Sequence, residues 1–365
     1  MRKQPSSLRV VGLIAVLFMA VGARELVVKS HVGASRSART ASPIPAEGFG
    51  ISDPNLVGEK VAIQKTQLAA MKAMGITSVR LDANWDWVQP SGPRTFDWEQ
   101  LDQVVRSIRS AGMSADLIID GCPPWAAVAG TSGDPSPQPA ARVQYATWAA
   151  DVAKRYSPLG VNIFEIWNEP NLAGSWQPKP NPSAYTADLV AAYSAIKAVD
   201  PSAFVVSGGL GPSATNGSDY SPIDFLKAMY ADGAKGSFDA LGFHPYSFPA
   251  LPDTYEPWSG WSEMAQTNPS IRSVMAGAGD GGKPIWITEF GAPSGGPDGV
   301  GEAAQAVALE QAIDQVKVTN WIGALYLYTR QDSGTDPNNN EDWFGLLTAG
   351  GSRKPAYSKV AASIR

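Results

Sequence analysis

Val161-Asn162-Ile163-Phe164-Glu165-Ile166-Trp167-Asn168-Glu169-Pro170-Asn171 is the stretch on which the fold turns. Gly160 leads into an apolar run of strand length, which stops abruptly at Asn, Glu, Pro and Asn instead of running on into a helix. A short apolar run bounded by turn residues reads as a strand buried on both faces, as in parallel sheets. Working outward, seven similar runs lie at 48–51, 78–81, 115–119, 204–207, 240–243, 284–288 and 322–328, so that 161–167 is the fourth of eight. Between them come segments with helical spacing, such as Leu101, Val104, Val105 and Ile108, and later Ala306, Leu309, Ile313 and Val316. Eight alternating βα units predict the α/β class and a single-domain (β/α)8 TIM barrel. A doubly wound sheet is the alternative, but eight units would call for a second domain, and no interdomain linker is visible.

Connections entering the strands are short and punctuated by Gly75, Gly112, Gly160, Pro201, Gly236 and Gly282, as αβ turns are. Those leaving the strands, 121–140, 170–183, 209–221, 245–268, 291–301 and 329–345, are long and rich in Pro, Gly and Asn. In a (β/α)8 barrel the loops after the strands form the face that carries the active site. Composition then limits the chemistry. The 365 residues hold 29 Lys and Arg against 34 Asp and Glu, a net charge of -5, which leaves no footprint for a phosphate backbone and no nucleic-acid partner. One cysteine, Cys122, and two histidines, His31 and His244, exclude a disulfide framework and a Cys/His metal centre. No metal and no cofactor is expected, and the reaction must use carboxylates, hydroxyls or amides. Gly209-Leu210-Gly211-Pro212-Ser213-Ala214 fits a dinucleotide-loop spacing, but Pro, Asn and Gly follow where a helix should start. No G-x-S-x-G occurs, which removes a serine hydrolase.

At the N-terminus Arg2, Lys3 and Arg9 precede an apolar run over 10–23, the pattern of an export signal. Residues 1–23 read as a signal peptide, with an uncleaved membrane anchor as the alternative; 24–46 read as a flexible tether; 47–365 read as the folded domain. Secretion or residence in the cell envelope is expected, as is a monomer.

Two glutamates stand out. Glu169 follows the fourth strand and Glu289 the seventh, and in an eight-stranded barrel those two ends face one another across the mouth. Two carboxylates across a cleft suit glycoside hydrolysis, in which one must be protonated to release the leaving oxygen and the other ionised to attack or to activate water. Glu165, inside the strand, reads instead as a structural acid paired with a basic residue, because a lone buried charge is costly. Arg80 is a candidate for that partner, or for facing the site. Trp125 and Trp176 lie on the loops after the third and fourth strands and are candidates for stacking on sugar.

The segments 164–172 (FEIWNEPNL) and 286–291 (WITEFG) resemble the two signatures of clan A glycoside hydrolases, family 39 in particular. That family includes β-xylosidases, iduronidases and bacterial exopolysaccharide endoglycosidases; family 5, with its cellulases and related endoglycanases, is a near neighbour. The resemblance covers nearly all of 47–365. It implies that Glu169 is the general acid/base, Glu289 the nucleophile, and Asn168 the group that binds the sugar 2-hydroxyl. His244-Pro245-Tyr246 resembles the motif after the sixth strand that lines the sugar pocket, with the tyrosine near the nucleophile. The run 74–80 (MGITSVR) resembles the second-strand motif whose arginine, here Arg80, supports the nucleophile's charge, and 123–126 (PPWA) resembles the third-strand loop. Where clan members commonly carry Trp under the sugar ring at the end of the eighth strand, this chain has Tyr328.

The reading is therefore an exported retaining glycoside hydrolase that cleaves a β-linked extracellular or envelope polysaccharide. The broad Trp-bearing loops favour endo action. A carbohydrate-binding barrel without turnover and a transglycosylase using the same residues are the alternatives.

Overall fold

The structure, a computed structural model, describes residues 48–129, 131 and 138–365; the signal and tether expected over 1–46 lie outside the described residues. The eight strands are β1 (Phe49–Ser52), β2 (Ser78–Asn84), β3 (Ser114–Asp120), β4 (Ile163–Asn168), β5 (Phe204–Gly209), β6 (Leu241–Phe243), β7 (Ile285–Phe290) and β8 (Ile322–Tyr328). All neighbouring pairs are parallel, in the order β5-β4-β3-β2-β1-β8-β7-β6. The ends of that order meet through isolated bridges, Val206 to Ala240 and Leu210 to Phe243, and through the Leu210 amide donating to the Gly242 carbonyl at 3.2 Å. The result is the expected (β/α)8 barrel.

Helices lie between successive strands, and the helical spacings in the sequence mark their buried faces. Leu101, Val104, Val105 and Ile108 are buried on helix Glu99–Ser110, and Ala306, Leu309, Ile313 and Val316 on helix Glu302–Val318. The apolar material forms two layers. The larger fills the space between strands and helices. The smaller, Ile163, Val206, Ala240, Trp286, Ala324 and Tyr326, plugs the inside of the barrel, with Phe204 stacked on Trp286. Above that plug the inward positions turn polar.

Several strands run further than their apolar runs indicated. β2 continues through Asp82 and Asn84, β3 to Asp120, and β7 through Glu289 to Phe290. The ladder hydrogen bonds do not depend on side-chain polarity, so a strand persists where its inward side chains become ionisable.

Candidate active site

Glu169 follows directly on β4, and two backbone features aim it. Trp167 and Glu169 both have positive φ, 71° and 46°, a left-handed conformation that a side-chain-bearing residue adopts only where its surroundings hold it there. The Trp167 indole donates to the Ser175 carbonyl at 2.7 Å, and the Glu169 amide donates to the Gly209 carbonyl at 3.0 Å. The carboxylate then lies over Gly211, where a Cβ would come within 2.6 Å of Oε1. A side chain there would have to displace it.

Glu289 is aimed by a different device. Opposite β8, Ile287 pairs with Leu325 and Phe290 with Leu327, so three steps along β7 match two along β8. This bulge inserts one residue and breaks the in-out alternation, which lets Thr288 and Glu289 both reach the site. Thr288 is buried and bonds His244, while Glu289 reaches the cleft.

A continuous polar network joins the two glutamates. His244 Nδ1 is 3.0 Å from Glu169 Oε1 and 3.7 Å from Glu289 Oε2, and its Nε2 is 3.0 Å from the Thr288 hydroxyl. A hydroxyl can donate or accept, so the His244 ring can take either neutral tautomer and serve Glu169 as acceptor or donor. On the other side of Glu289, Arg80 donates to Oε1 at 2.6 Å and the Tyr246 hydroxyl donates to Oε2 at 2.8 Å. Arg80 also donates from Nε and Nη2 to Glu165 at 2.6 and 3.0 Å, to Asn168 Oδ1 at 2.8 Å and to the Ser52 hydroxyl at 3.1 Å. The two readings of Arg80 are thus one: a single buried guanidinium holds the structural Glu165 and the site Glu289.

Burial by itself would lift the Glu289 carboxyl, but His244, Arg80 and the Tyr246 hydroxyl outweigh it and hold the group below its ordinary value. The partners reciprocate. Although burial acts against charge on Arg80, Glu165 and Glu289 raise its titration well above the ordinary value. The Tyr246 hydroxyl is pushed well up, by burial and then by Glu289. Glu289 is therefore an ionised carboxylate at neutral pH, locked in place yet reachable. Its side chain is 14% exposed and that of Glu169 18%.

Of the residues singled out in the sequence, Arg80, Asn168, Glu169, His244, Tyr246 and Glu289 form this one network. Tyr328 ends β8 beside it, its ring edge-on to Tyr246 at 6.5 Å. Trp125 stands apart: its indole donates to the Gln89 carbonyl and its ring packs edge-on against Trp85. Trp176 needs correction as a stacking platform. It is 1% exposed, wedged between Trp167 and Tyr185 with its indole bonded to Gln138, because the loop after β4 folds back over the barrel wall. Several participants went unseen in the sequence: Thr288, Ser52, Gly211 under Glu169, Gly209 under His244, and Glu341, which accepts from the Tyr328 hydroxyl. Glu341 had only a faint signal, its place in the polar run 338–342 after the eighth strand. Asp82 and Asp120, on neighbouring strands at the mouth, were missed as well. Burial lifts Asp82 to about 6 against the pull of Arg80, and burial together with Asp82 lifts Asp120 further.

Comparison with known proteins agrees with this fold. Residues 40–324 match the family model described as Cellulase (glycosyl hydrolase family 5). No curated protein matches the chain. Among solved structures, a family 39 glycoside hydrolase from the gut symbiont Bacteroides cellulosilyticus WH2 aligns with a TM-score of 0.68 and 22% identity over 88% of this chain and 63% of that one. The chain thus spans less than two thirds of that protein's length. A monomeric beta-xylosidase from Caulobacter crescentus CB15 aligns at 0.65 and 19% identity, covering 86% of this chain and 67% of the other. A GH5_18 protein from Streptomyces cattleya, solved in complex with GlcNAc, aligns at 0.63 and 19% identity, covering 87% and 79%. At these identities the solved structures speak for the fold.

Proposed function

The chain belongs to the cellulase family, glycosyl hydrolase family 5, of the clan A glycoside hydrolases, and from that premise we propose that it is an exported, retaining, endo-acting hydrolase of a β-linked envelope or matrix polysaccharide. The observation that carries the mechanism is the contact of one His244 nitrogen with both glutamates, at 3.0 and 3.7 Å. Carboxylates that share a ring nitrogen lie close together. This is in keeping with the separation of about 5 to 5.5 Å used by retaining glycosidases.

In this mechanism Glu169 protonates the glycosidic oxygen while Glu289 attacks the anomeric carbon, breaking the bond to the leaving sugar and forming a covalent glycosyl-enzyme. Glu169 then takes a proton from water, and the water oxygen displaces Glu289. Arg80 and Tyr246 keep the nucleophile ionised and aimed. Asn168, whose side-chain oxygen is held by Arg80, offers its amide nitrogen to the 2-hydroxyl of the sugar.

Endo action is supported by the exposed aromatics. Trp87 is 52% exposed on the short helix Trp85–Val88 that follows β2, and Tyr255 and Trp258 are 56% and 49% exposed on the loop after β6. β2 and β6 stand half a turn apart in the strand order, so these rings rise on opposite rims with the glutamates between them. A glycan chain laid across the mouth could meet both. Action as a monomer belongs to the same proposal. The signal-like pattern over 10–23 supports export.

The test is reducing-end release by the full chain from β-glucans, xylans, galactans, mannans and extracted envelope polysaccharides, with Glu289→Gln as the blank. Cleavage by the native protein alone, into mixed oligosaccharides whose new ends keep the β configuration, is the expected result. Binding of a glycan by both proteins with cleavage by neither would replace the hydrolase with a sugar-binding barrel. Products longer than the substrate would indicate transglycosylation.

A further inference from the structure

We propose that Glu341 is a substrate-selecting carboxylate of the cleft, which admits neutral or amino-bearing sugars to the catalytic subsite and turns away uronic acids; the inference rests on the glycosidase reading above. Glu341 belongs to the short 3-10 turn Asn340–Trp343 in the loop after β8. Its Oε2 accepts from the Tyr328 hydroxyl at 3.0 Å. The Tyr328 ring meets Tyr246 edge-on, and Tyr246 in turn donates to Glu289. Two tyrosine-glutamate pairs therefore stand side by side at the ends of β7 and β8, one on the nucleophile and one on Glu341. After burial itself, Glu341 is among the groups that raise the Tyr246 hydroxyl, together with both catalytic glutamates. It lies within electrostatic reach of the reacting centre.

The loop holds Glu341 there by bonds of its own. Asn339 Oδ1 accepts from the Glu341 amide at 3.2 Å, the Ser333 hydroxyl donates to the Glu341 carbonyl at 3.0 Å, and the Trp343 indole donates to the Asp336 carbonyl at 2.8 Å. The carboxylate is presented by a prearranged turn.

The pairing of the buried cations at this end of the barrel bears on what such a group can select. Arg80 is engaged by Glu165 and Glu289, Arg330 by Asp53 at 2.6 Å, and Lys354 by Asp332 at 2.6 Å. All three cations are at most 8% exposed in their side chains. An incoming sugar meets Glu169, Glu289 and Glu341, and none of these three buried cations is left to receive an anion. Vicinal hydroxyls or an ammonium group donate well to a carboxylate, whereas a uronate would place like charges together.

The experiment measures binding of defined oligosaccharides to the full chain carrying Glu169→Gln, which stops turnover. The probes are xylo-, cello-, manno- and galacto-oligosaccharides, glucosamine oligomers, and oligogalacturonate and oligomannuronate. Binding is expected within the neutral or amino set and to neither uronate. Adding Glu341→Gln should weaken the bound oligosaccharide about tenfold or more, the scale of a lost charged hydrogen bond. In the otherwise native chain, Glu341→Gln should raise KM more than it lowers kcat, and Tyr328→Phe, which removes the anchoring hydroxyl and nothing else, should repeat that split more weakly. A merely structural role would move melting temperature and leave the KM-to-kcat split alone. Uronate binding as tight as neutral binding, or Glu341→Gln affinities within about twofold of the parent, would overturn the inference while leaving the hydrolase intact. If no glycan binds, the glycosidase reading fails and takes this one with it.

Discussion

The inside of the barrel is built in two halves that differ in every respect except the strands that make them. In the lower half Ile163, Val206, Ala240, Trp286, Ala324 and Tyr326 pack as an apolar plug. Two residues further along the same strands the inward positions become Glu165, Thr288 and Tyr328, and on β2 they read Arg80 and Asp82. The lower half stabilises by excluding water from about 25 cal/mol per Å2 of apolar surface. The upper half holds buried charges whose desolvation their mutual attraction only offsets, so it adds little stability, and it holds the site proposed for the chemistry. The fold is carried by one end and the proposed reaction by the other, as expected where a strained or charged site rests on a rigid scaffold.

Four measurements would break or sharpen that division. The largest effect belongs to the upper half: Glu169→Gln should lower kcat on the cleaved polysaccharide by about 10²- to 10⁴-fold with little change in the urea midpoint, and loss of stability comparable to the loss of rate would dissolve the distinction. Ile163→Ala should do the opposite. Emptying part of the plug is expected to remove about 2 to 5 kcal/mol of unfolding free energy while kcat changes little, because the cavity opens below the network.

Asp82 gives a smaller effect whose sign depends on pH. Burial raises its carboxyl to about 6, so the native state holds that proton more tightly than the unfolded chain. Below the unfolded value both states are protonated and nothing is lost. Between there and about pH 6 the unfolded chain ionises first and stability falls, and above that the full penalty applies. Asp82→Asn should therefore stabilise the protein by about 1 to 2 kcal/mol at pH 8 and leave it unchanged near pH 3, as read from urea unfolding at both. Equal effects at the two pH values would mean that Asp82 is not a strained acid. The smallest effect is expected at the rim: Trp87→Ala should raise KM for long glycans a few-fold, spare short oligosaccharides, and shift stability by no more than about 0.5 kcal/mol. Equal loss on both substrate lengths would place the ring outside the path of the chain.

The reading of the site divides along the same line as the barrel. Glu169, Glu289, Asn168, Arg80 and His244-Pro245-Tyr246 could be picked out because each sits in or beside a strand in a recognisable local pattern. Trp176 could not be judged that way. An aromatic on a loop after a strand looks the same in sequence whether it faces the cleft or the wall, and here the loop turned it inward. Glu341 was invisible for the complementary reason, since nothing in the run 338–342 shows that the loop returns its carboxylate to the end of β8. Strand lengths were underestimated where polar inward residues continued the ladder.

The amino-acid sequence by itself determined the number and order of the βα units, the face that bears the long loops, and the two glutamates that end the fourth and seventh strands. These are local properties: periodicity, turn chemistry and short motifs persist whatever the rest of the chain does. Only the tertiary structure decided that one arginine serves both Glu165 and Glu289, that a bulge on β7 turns Thr288 and Glu289 to the same site, and that one His244 nitrogen touches both carboxylates. Those facts depend on contacts between residues that lie far apart in the chain, 85 for Arg80 with Glu165 and 209 for Arg80 with Glu289. Such contacts exist only once the barrel has closed and the summed packing of its strands has set the distances.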